Sequence, residues 1–170
     1  MFVRGFKKDC IEWYSIKNIK SENMFSETDW SKIFTDLSSY LEVNEFLSLG
    51  CGQCFVARNL LNNEDFAFVF ICLEDYKANK IVFHGGGWKQ GNTMLHYTAL
   101  VYLLERLFKR GYKIRTSCLR SNQKAFRFIH SVGFINHYTT ENYHYFWLPY
   151  KRFINTNIYK RINNTKCYER

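Results

Sequence analysis

The sequence lacks several features that would assign it to a class of protein at once. Its 170 residues include one proline, Pro149, which excludes a Pro-rich linker protein. No apolar run reaches the roughly 18–20 residues that a membrane-spanning helix needs. Residues 1–10 carry charges with no apolar segment behind them, so we expect no secretory signal. Hydrophobic residues make up 46% and charged residues 23% of the chain, which predicts a single globular domain.

Cysteines are present, but their spacing does not predict a metal or disulfide framework. Cys51 and Cys54 form a CxxC pair, which is half of a zinc site or a redox pair. A structural zinc needs two more ligands, and the sequence offers no second CxxC and no nearby His pair. We therefore interpret the pair as a turn that enters a strand, and expect a reduced, cytoplasmic protein without a metal. The six cysteines are Cys10, Cys51, Cys54, Cys72, Cys118 and Cys167.

Two composition figures are unusual, namely a net charge of +9 and an aromatic share of 19%. Basic charge is typical of proteins that bind nucleic acid or other anions. The abundance of Asn, Lys and Ile is also what an AT-rich genome would produce, which explains part of both figures without a function. We therefore expect no nucleic-acid partner, and the lack of a long apolar run predicts no membrane partner. We interpret residues 151–170 as a basic tail, either solvated or docked through Phe153, Ile158 and Tyr159. Its basic residues are Lys151, Arg152, Lys160, Arg161, Lys166 and Arg170.

Hydrophobic periodicity predicts the elements of the first half of the chain. An apolar stripe with i, i+3, i+4 spacing indicates an amphipathic helix near residues 28–41. Short β-type runs follow, and the polar link 74–79 between the last two predicts a hairpin turn. The stripe consists of Trp30, Ile33, Phe34, Leu37, Tyr40 and Leu41. The predicted strands are Cys54–Arg58, Phe66–Leu73 and Lys80–His84.

The second half reads as two helices alternating with strands. A long, largely apolar helix is predicted from Thr93 to Lys109, and Gly111 supplies its left-handed stop. A shorter helix is predicted from Asn122 to Val132, with Gly133 after it. Further strands are predicted at Lys113–Leu119, Phe134–Tyr138 and Tyr143–Leu148. This order predicts an α/β (α+β) fold with a mixed sheet, antiparallel wherever the links are short.

A glycine-rich turn stands between the third predicted strand and the long helix. Glycines let a backbone approach a phosphate, and the first N–H groups of a helix favour an anion. The window runs from Gly85 to Thr93 and includes Lys89, which can add a positive charge. Its spacing fits neither a P-loop nor the dinucleotide-binding GxGxxG pattern. The alternative is that the glycines only form a bulge and a tight turn.

A more specific string lies at residues 120–134, on the second helix. Asn122 is followed by Ala125, a helical apolar face and then Gly133-Phe134 at the helix exit. This string, together with the glycine turn and the element order, resembles the GNAT superfamily of acyl-CoA N-acyltransferases. The resemblance covers residues 66–148 well and the first 60 residues in outline. It implies one domain, residues 1–150, with a mostly antiparallel mixed sheet flanked by helices.

The resemblance also implies a cofactor and site residues. Family members bind the coenzyme A pyrophosphate at the turn before the long helix and pair its pantetheine arm with the preceding strand. We expect His84 to act as the base or to orient water, since an imidazole ordinarily titrates near ~6.5; the alternative is a structural His at the turn. The residues predicted to bind acetyl-CoA are Phe83, Gly85, Lys89, Gln90, Gly91, Asn92, Thr93 and Asn122.

One position departs from the family pattern in a way that bears on catalysis. Seven residues after the Asn, family members commonly have a Tyr that protonates the departing thiolate, and this chain has Ile129 there. His130 is next to it, although we expect His130 to be exposed. Tyr138, Tyr143 and Tyr145 are expected near the acceptor side or simply as sheet residues. The remaining histidines, His96, His137 and His144, show no metal-binding spacing.

The resulting hypothesis is an acyltransferase that moves an acetyl group from acetyl-CoA to a primary amine by direct attack, the amine belonging to a small molecule or a peptide. Two alternatives stay open. One is a GNAT-like module that binds coenzyme A or another ligand without turnover, and the other is a basic nucleic-acid-binding protein. The sequence indicates neither the acceptor nor the oligomeric state.

Overall fold

A computed structural model describes residues 4–16, 52–75, 77–87 and 93–164 of the chain. These residues contain eight strands and four helices. The strands are β1 (Phe6–Lys8), β2 (Ile11–Ile16), β3 (Gly52–Asn59), β4 (Glu64–Asp75), β5 (Lys80–Gly87), β6 (Lys113–Leu119), β7 (Ile135–Thr139) and β8 (Tyr143–Leu148). The helices are α1 (Thr93–Lys109), α2 (Gln123–Ser131), α3 (Tyr150–Ile154) and α4 (Asn157–Asn164). The helix predicted over residues 28–41, Cys51, residues 88–92 and the last six residues lie outside the described ranges.

The strands form a mixed sheet in the order β1-β2-β3-β4-β5-β6-β8-β7. The β5–β6 pair is parallel, whereas β1–β2, β2–β3, β3–β4, β6–β8 and β7–β8 are antiparallel. The predicted fold class is therefore confirmed. None of the helices in the described ranges is both long and apolar enough to cross a membrane.

The chain divides into two compact units, and the first comprises residues 1–73 and 84–91. Its described part is a meander of β1 to β4 whose core includes Ile11 and Trp13, each 1% exposed, and Phe55 and Phe70, both fully buried. Strands β1 and β2 are additions to the predicted element order. Asp9 turns the chain between them with a positive φ of 51°.

A polar network joins three strands of this first unit. The Tyr14 hydroxyl donates to Asp65 Oδ2 at 2.7 Å, and Arg58 Nε donates to Asp65 Oδ1 at 2.9 Å. The Arg58 guanidinium lies 4.8 Å from the centre of the Tyr14 ring. Burial, followed by the bond to Asp65, raises the pKa of Tyr14 to about 12. The phenol therefore stays a donor at neutral pH, and its bond links β2 to β4 across β3, beside the bulge at Ala57/Arg58.

The second unit comprises residues 74–83 and 92–170. Helix α1 buries the six consecutive residues 99–104 and also Leu107, as its largely apolar surface predicts. Helix α2 packs on it, since the Tyr97 hydroxyl lies 2.8 Å from Ser131 Oγ and the Tyr97 ring stacks 4.6 Å from Phe128. The predicted bounds of α1 are confirmed in full, and those of α2 to within one residue at each end.

Residues 150–164 form part of the second unit. Phe153 of α3 is fully buried and Ile162 of α4 is 6% exposed. The Tyr159 hydroxyl donates to Glu105 Oε1 of α1 at 2.8 Å, and burial together with Glu105 raises the pKa of Tyr159 to about 12. Of the two alternatives for the region after Leu148, the docked one is therefore found, and it is helical.

Gly133 follows α2 and lies against α3. Its φ of +104° lies in the region that favours glycine. A Cβ at this position would lie 2.9 Å from Thr156 Cγ2 and 3.4 Å from the Phe153 Cα. The glycine at the exit of α2 therefore gives the chain both its turn and the close approach of α3.

Candidate functional site

The parallel pair β5–β6 stops early, and this end point defines the candidate site. Three residue pairs form the ladder: Lys80↔Lys113, Ile81↔Ile114 and Val82↔Arg115. Directly after the last pair, the buried Thr116 hydroxyl donates a 2.6 Å hydrogen bond to the carbonyl oxygen of Phe83. A side-chain donor thus follows the backbone ladder at the point where it ends, and β5 itself continues to Gly87.

We expect Thr116→Val to lower the free energy of unfolding by about 1–3 kcal/mol, because it removes a donor from a buried carbonyl at nearly constant volume. Urea denaturation measures this loss. Thr116→Ser keeps the hydroxyl and should restore much of the stability, whereas Ser117→Ala, at the next residue of β6, should change it by less than ~0.5 kcal/mol. Equal losses for the valine and serine variants would show that the hydroxyl is not the stabilising group.

Helix α1 begins at Thr93, after the glycine-rich segment of the sequence. Its first residue, Thr93, is exposed, and its first turn contains no acidic side chain. The dipole and the N–H groups of such a turn favour an anion. The predicted turn is wrong for residues 85–87, because β5 continues through them to Gly87; Gly85 is exposed. Lys89, Gln90, Gly91 and Asn92 lie outside the described ranges.

Asn122 caps helix α2. Its Oδ1 accepts a 3.0 Å hydrogen bond from the backbone N–H of Ala125. The Asn-x-x-Ala spacing is thus explained locally, because an N-cap side chain bonds the N–H three residues on. Asn122 is exposed and belongs with Phe83 and Thr93 to the second unit, whereas His84 and Gly85 belong to the first.

Comparison with known proteins tests the fold directly. No family model and no curated protein matches the chain. The spermidine N-acetyltransferase of Vibrio cholerae with CoA and spermine matches with a TM-score of 0.66 and 13% identity, over 86% of this chain and 99% of its own. The Campylobacter jejuni N-acetyltransferase PseH with acetyl coenzyme A matches with a TM-score of 0.60 and 14% identity, over 82% and 99%. This chain has the GNAT fold. The ribosomal-protein-S5-alanine acetyltransferase of Vibrio fischeri also matches, with a TM-score of 0.54 and 12% identity over 84% and 94%.

Ile129, which the sequence pattern places where family members commonly have a Tyr, is a half-buried side chain of α2, and that correspondence stays a prediction. The prediction that His130 is exposed is wrong. Its ring lies 4.6 Å from Phe126 and 5.6 Å from Phe146, so it is half-buried between α2 and β8. Packing on two aromatic rings accounts for this placement.

Sequence reasoning missed two hydroxyl groups near these elements, those of Thr116 and Tyr97. Tyr97 bonds Ser131, two residues after Ile129, and so places a phenol against α2. Their partners lie 33 and 34 residues away along the chain, so no local sequence signal could have found these bonds. His84 lies in β5, but its side chain is outside the described part of the structure, so its role stays a prediction.

Neither the cysteines nor the other histidines form a metal site in the described ranges, where no group of three His, Cys, Asp or Glu could hold an ion. The predicted turn at the CxxC pair is wrong for its described part, because β3 already begins at Gly52 and Cys54 is buried within it. Burial raises the pKa of the Cys54 thiol, which makes it a poor nucleophile. His144 Nδ1 is instead 2.9 Å from the hydroxyl oxygen of Thr139.

Proposed function

We propose that this protein is an N-acetyltransferase that transfers the acetyl group of acetyl-CoA to a primary amine. The observation that carries the proposal is the succession of β5, a glycine-rich sequence segment and α1 in a chain with the GNAT fold. Two of the matched proteins hold acetyl coenzyme A or CoA. The cytoplasmic location expected from the sequence stays a prediction.

Coenzyme binding is assigned to three places. The backbone of Phe83 and Gly85 would pair with the pantetheine arm, and the amide nitrogen of Asn122 would bond it while the oxygen caps α2. The turn and the start of α1 would bind the pyrophosphate, because unpaired N–H groups and a nearby lysine favour phosphate. The residues assigned to the pyrophosphate are Lys89, Gln90, Gly91, Asn92 and Thr93.

In the reaction, the ammonium form of the amine first loses a proton, and the neutral nitrogen then attacks the thioester carbonyl carbon. The C–S bond breaks, and the acetylated nitrogen gives up a second proton as the amide forms. We assign the first proton to His84, directly or through a water molecule, and the second to solvent. A base matters most for a lysine-like amine, whose deprotonation at pH 7 costs roughly 4–5 kcal/mol from a pKa of ~10.4. An α-amine near ~8 costs only about 1 kcal/mol.

The departing thiolate needs a proton from elsewhere, since Ile129 offers none. General acid catalysis is worth about 10²–10⁴-fold. A thiol with an ordinary pKa near ~8.5 is already a tolerable leaving group, so water suffices at a lower rate. We therefore expect slower turnover than an enzyme with the family tyrosine would have.

Calorimetric titration with acetyl-CoA tests the cofactor assignment. We expect saturable 1:1 binding, and absence of heat at millimolar ligand would overturn the proposal. Thiol release measured with a panel of primary amines then tests turnover. Ile129 favours a second candidate function, a coenzyme-binding module without catalysis; binding without thiol release from any amine would establish that function instead.

A further inference from the structure

The positive charge of the chain is concentrated in one of its two units. Counted on the sequence, the first unit has eight Lys and Arg against ten Asp and Glu, a balance of 8 − 10 = −2. The second has sixteen against five, a balance of 16 − 5 = +11. An AT-rich genome would bias both units alike, so codon bias does not explain this difference.

Within the second unit, acidic residues are missing over long stretches. No Asp or Glu occurs between Glu105 and Glu141, nor from residue 142 to residue 168. Glu105 itself accepts the hydrogen bond from Tyr159. These stretches therefore carry many more basic than acidic side chains.

Four of these basic residues lie on elements that come together at one end of the unit, where α1 ends and β6 begins. Lys109 and Lys113 flank a tight turn in which the Gly111 N–H donates to the Phe108 carbonyl oxygen at 2.9 Å. The β6–β8 register pairs Ile114 with Leu148, which brings the start of α3 alongside. A ring contact agrees with this placement: the ring centre of Tyr150, in α3, lies 5.2 Å from that of Phe108, in α1. The exposed basic residues of this surface, called the basic end, are Lys109, Lys113, Lys151 and Arg152.

Two exposed aromatic rings flank this end: Trp147 lies on the face of β8 opposite the buried Phe146, and Tyr150 begins α3. Trp147 is 45% exposed and pairs across the sheet with Arg115, two residues after Lys113. Tyr150 is 52% exposed and precedes Lys151. Cations bind a phosphate backbone, and exposed aromatic rings stack on unpaired bases, which is the combination found where proteins bind single strands.

We propose that the basic end, with Trp147 and Tyr150, binds single-stranded nucleic acid. The charge fits a polyanion, and the aromatic rings fit bases, which neither an acidic protein surface nor a lipid headgroup supplies. This binding goes beyond acetyl transfer and uses none of the residues assigned to it, so either activity can fail without the other.

Fluorescence anisotropy with a labelled 20-nucleotide single-stranded RNA tests the proposal on the full chain. Four phosphate contacts at about −0.7 each give an expected slope of about −2.8 for log affinity against log salt concentration. Retention of binding at 150 mM salt is expected. No binding at 50 mM salt would overturn the proposal, and so would equally tight binding to polyglutamate or to phosphatidylserine vesicles.

Matched charge reversals locate the site. Lys113→Glu combined with Lys151→Glu should weaken RNA binding by at least tenfold and reduce the salt slope. Lys124→Glu combined with Arg127→Glu makes the same charge change on exposed positions of α2, and should weaken it by less than threefold. Trp147→Ala should cost about 5–150-fold at constant salt slope, as loss of one stacked base does. Equal losses for the two double variants would overturn the assignment to the basic end.

Discussion

Replacing His84 with alanine is expected to lower kcat by about 10²–10⁴-fold while changing the Kd for acetyl-CoA by less than about threefold. The reason is that a general base contributes to the chemical step and not to coenzyme binding. Thiol release at saturating acetyl-CoA gives kcat, and calorimetry gives Kd. His137→Ala is the matched control, because it makes the same change at an exposed residue of β7.

The choice of acceptor makes this experiment sharper. A lysine-like amine depends on the base more than an α-amine does, because its deprotonation at neutral pH costs several kcal/mol more. The loss caused by His84→Ala should therefore be larger for the lysine-like acceptor, and should shrink for both acceptors as the pH rises. A loss that is the same for both acceptors and at every pH would indicate a structural histidine at the turn.

Long elements with strong local patterns could be predicted from the sequence. Helix α1 has seventeen residues, an apolar surface and a left-handed glycine stop, and its bounds agree with the prediction. Strands β1 and β2 could not be predicted in the same way. They have three and six residues, and Glu12 and Ser15 interrupt the apolar residues of β2, so the alternation of Ile11 and Trp13 is too short to identify.

The part of the candidate site that could be predicted from the sequence is the part where a residue type is required by a helix end. Asn122 and Gly133 stand at the two ends of α2, where a cap and a positive φ require these residue types. The Thr116–Phe83 bond joins residues 33 apart, and the Tyr97–Ser131 bond joins residues 34 apart. Such contacts form only when β6 and α2 have packed, so no local sequence pattern predicts them.

The two C-terminal helices also could not be identified from local sequence patterns. Helices α3 and α4 have five and eight residues, shorter than the length at which apolar periodicity identifies a helix. Their many basic and Asn residues resemble a solvated tail in composition. What fixes them is burial of a few side chains, Phe153 and Ile162 above all, against the second unit.

We therefore expect Phe153→Ala to lower the free energy of unfolding by about 3–5 kcal/mol, the usual cost of truncating a fully buried phenylalanine. Its ring lies 5.5 Å from Phe108 of α1 and 4.9 Å from Tyr159 of α4, so the cavity would open between three helices. A loss of this size is a large part of the stability of an ordinary domain. Urea denaturation of the full chain measures it.

The control is Leu61→Ala, a similar truncation at a side chain that is 83% exposed, which should change stability by less than ~0.5 kcal/mol. A solvated tail would place Phe153→Ala in the same small range as Leu61→Ala. A docked tail predicts the large loss. It also predicts that removal of residues 150–170 destabilises the second unit more than the single substitution does, because the buried Ile162 and the Tyr159–Glu105 hydrogen bond are lost as well. The region after Leu148 would then be required for the fold that carries the candidate site.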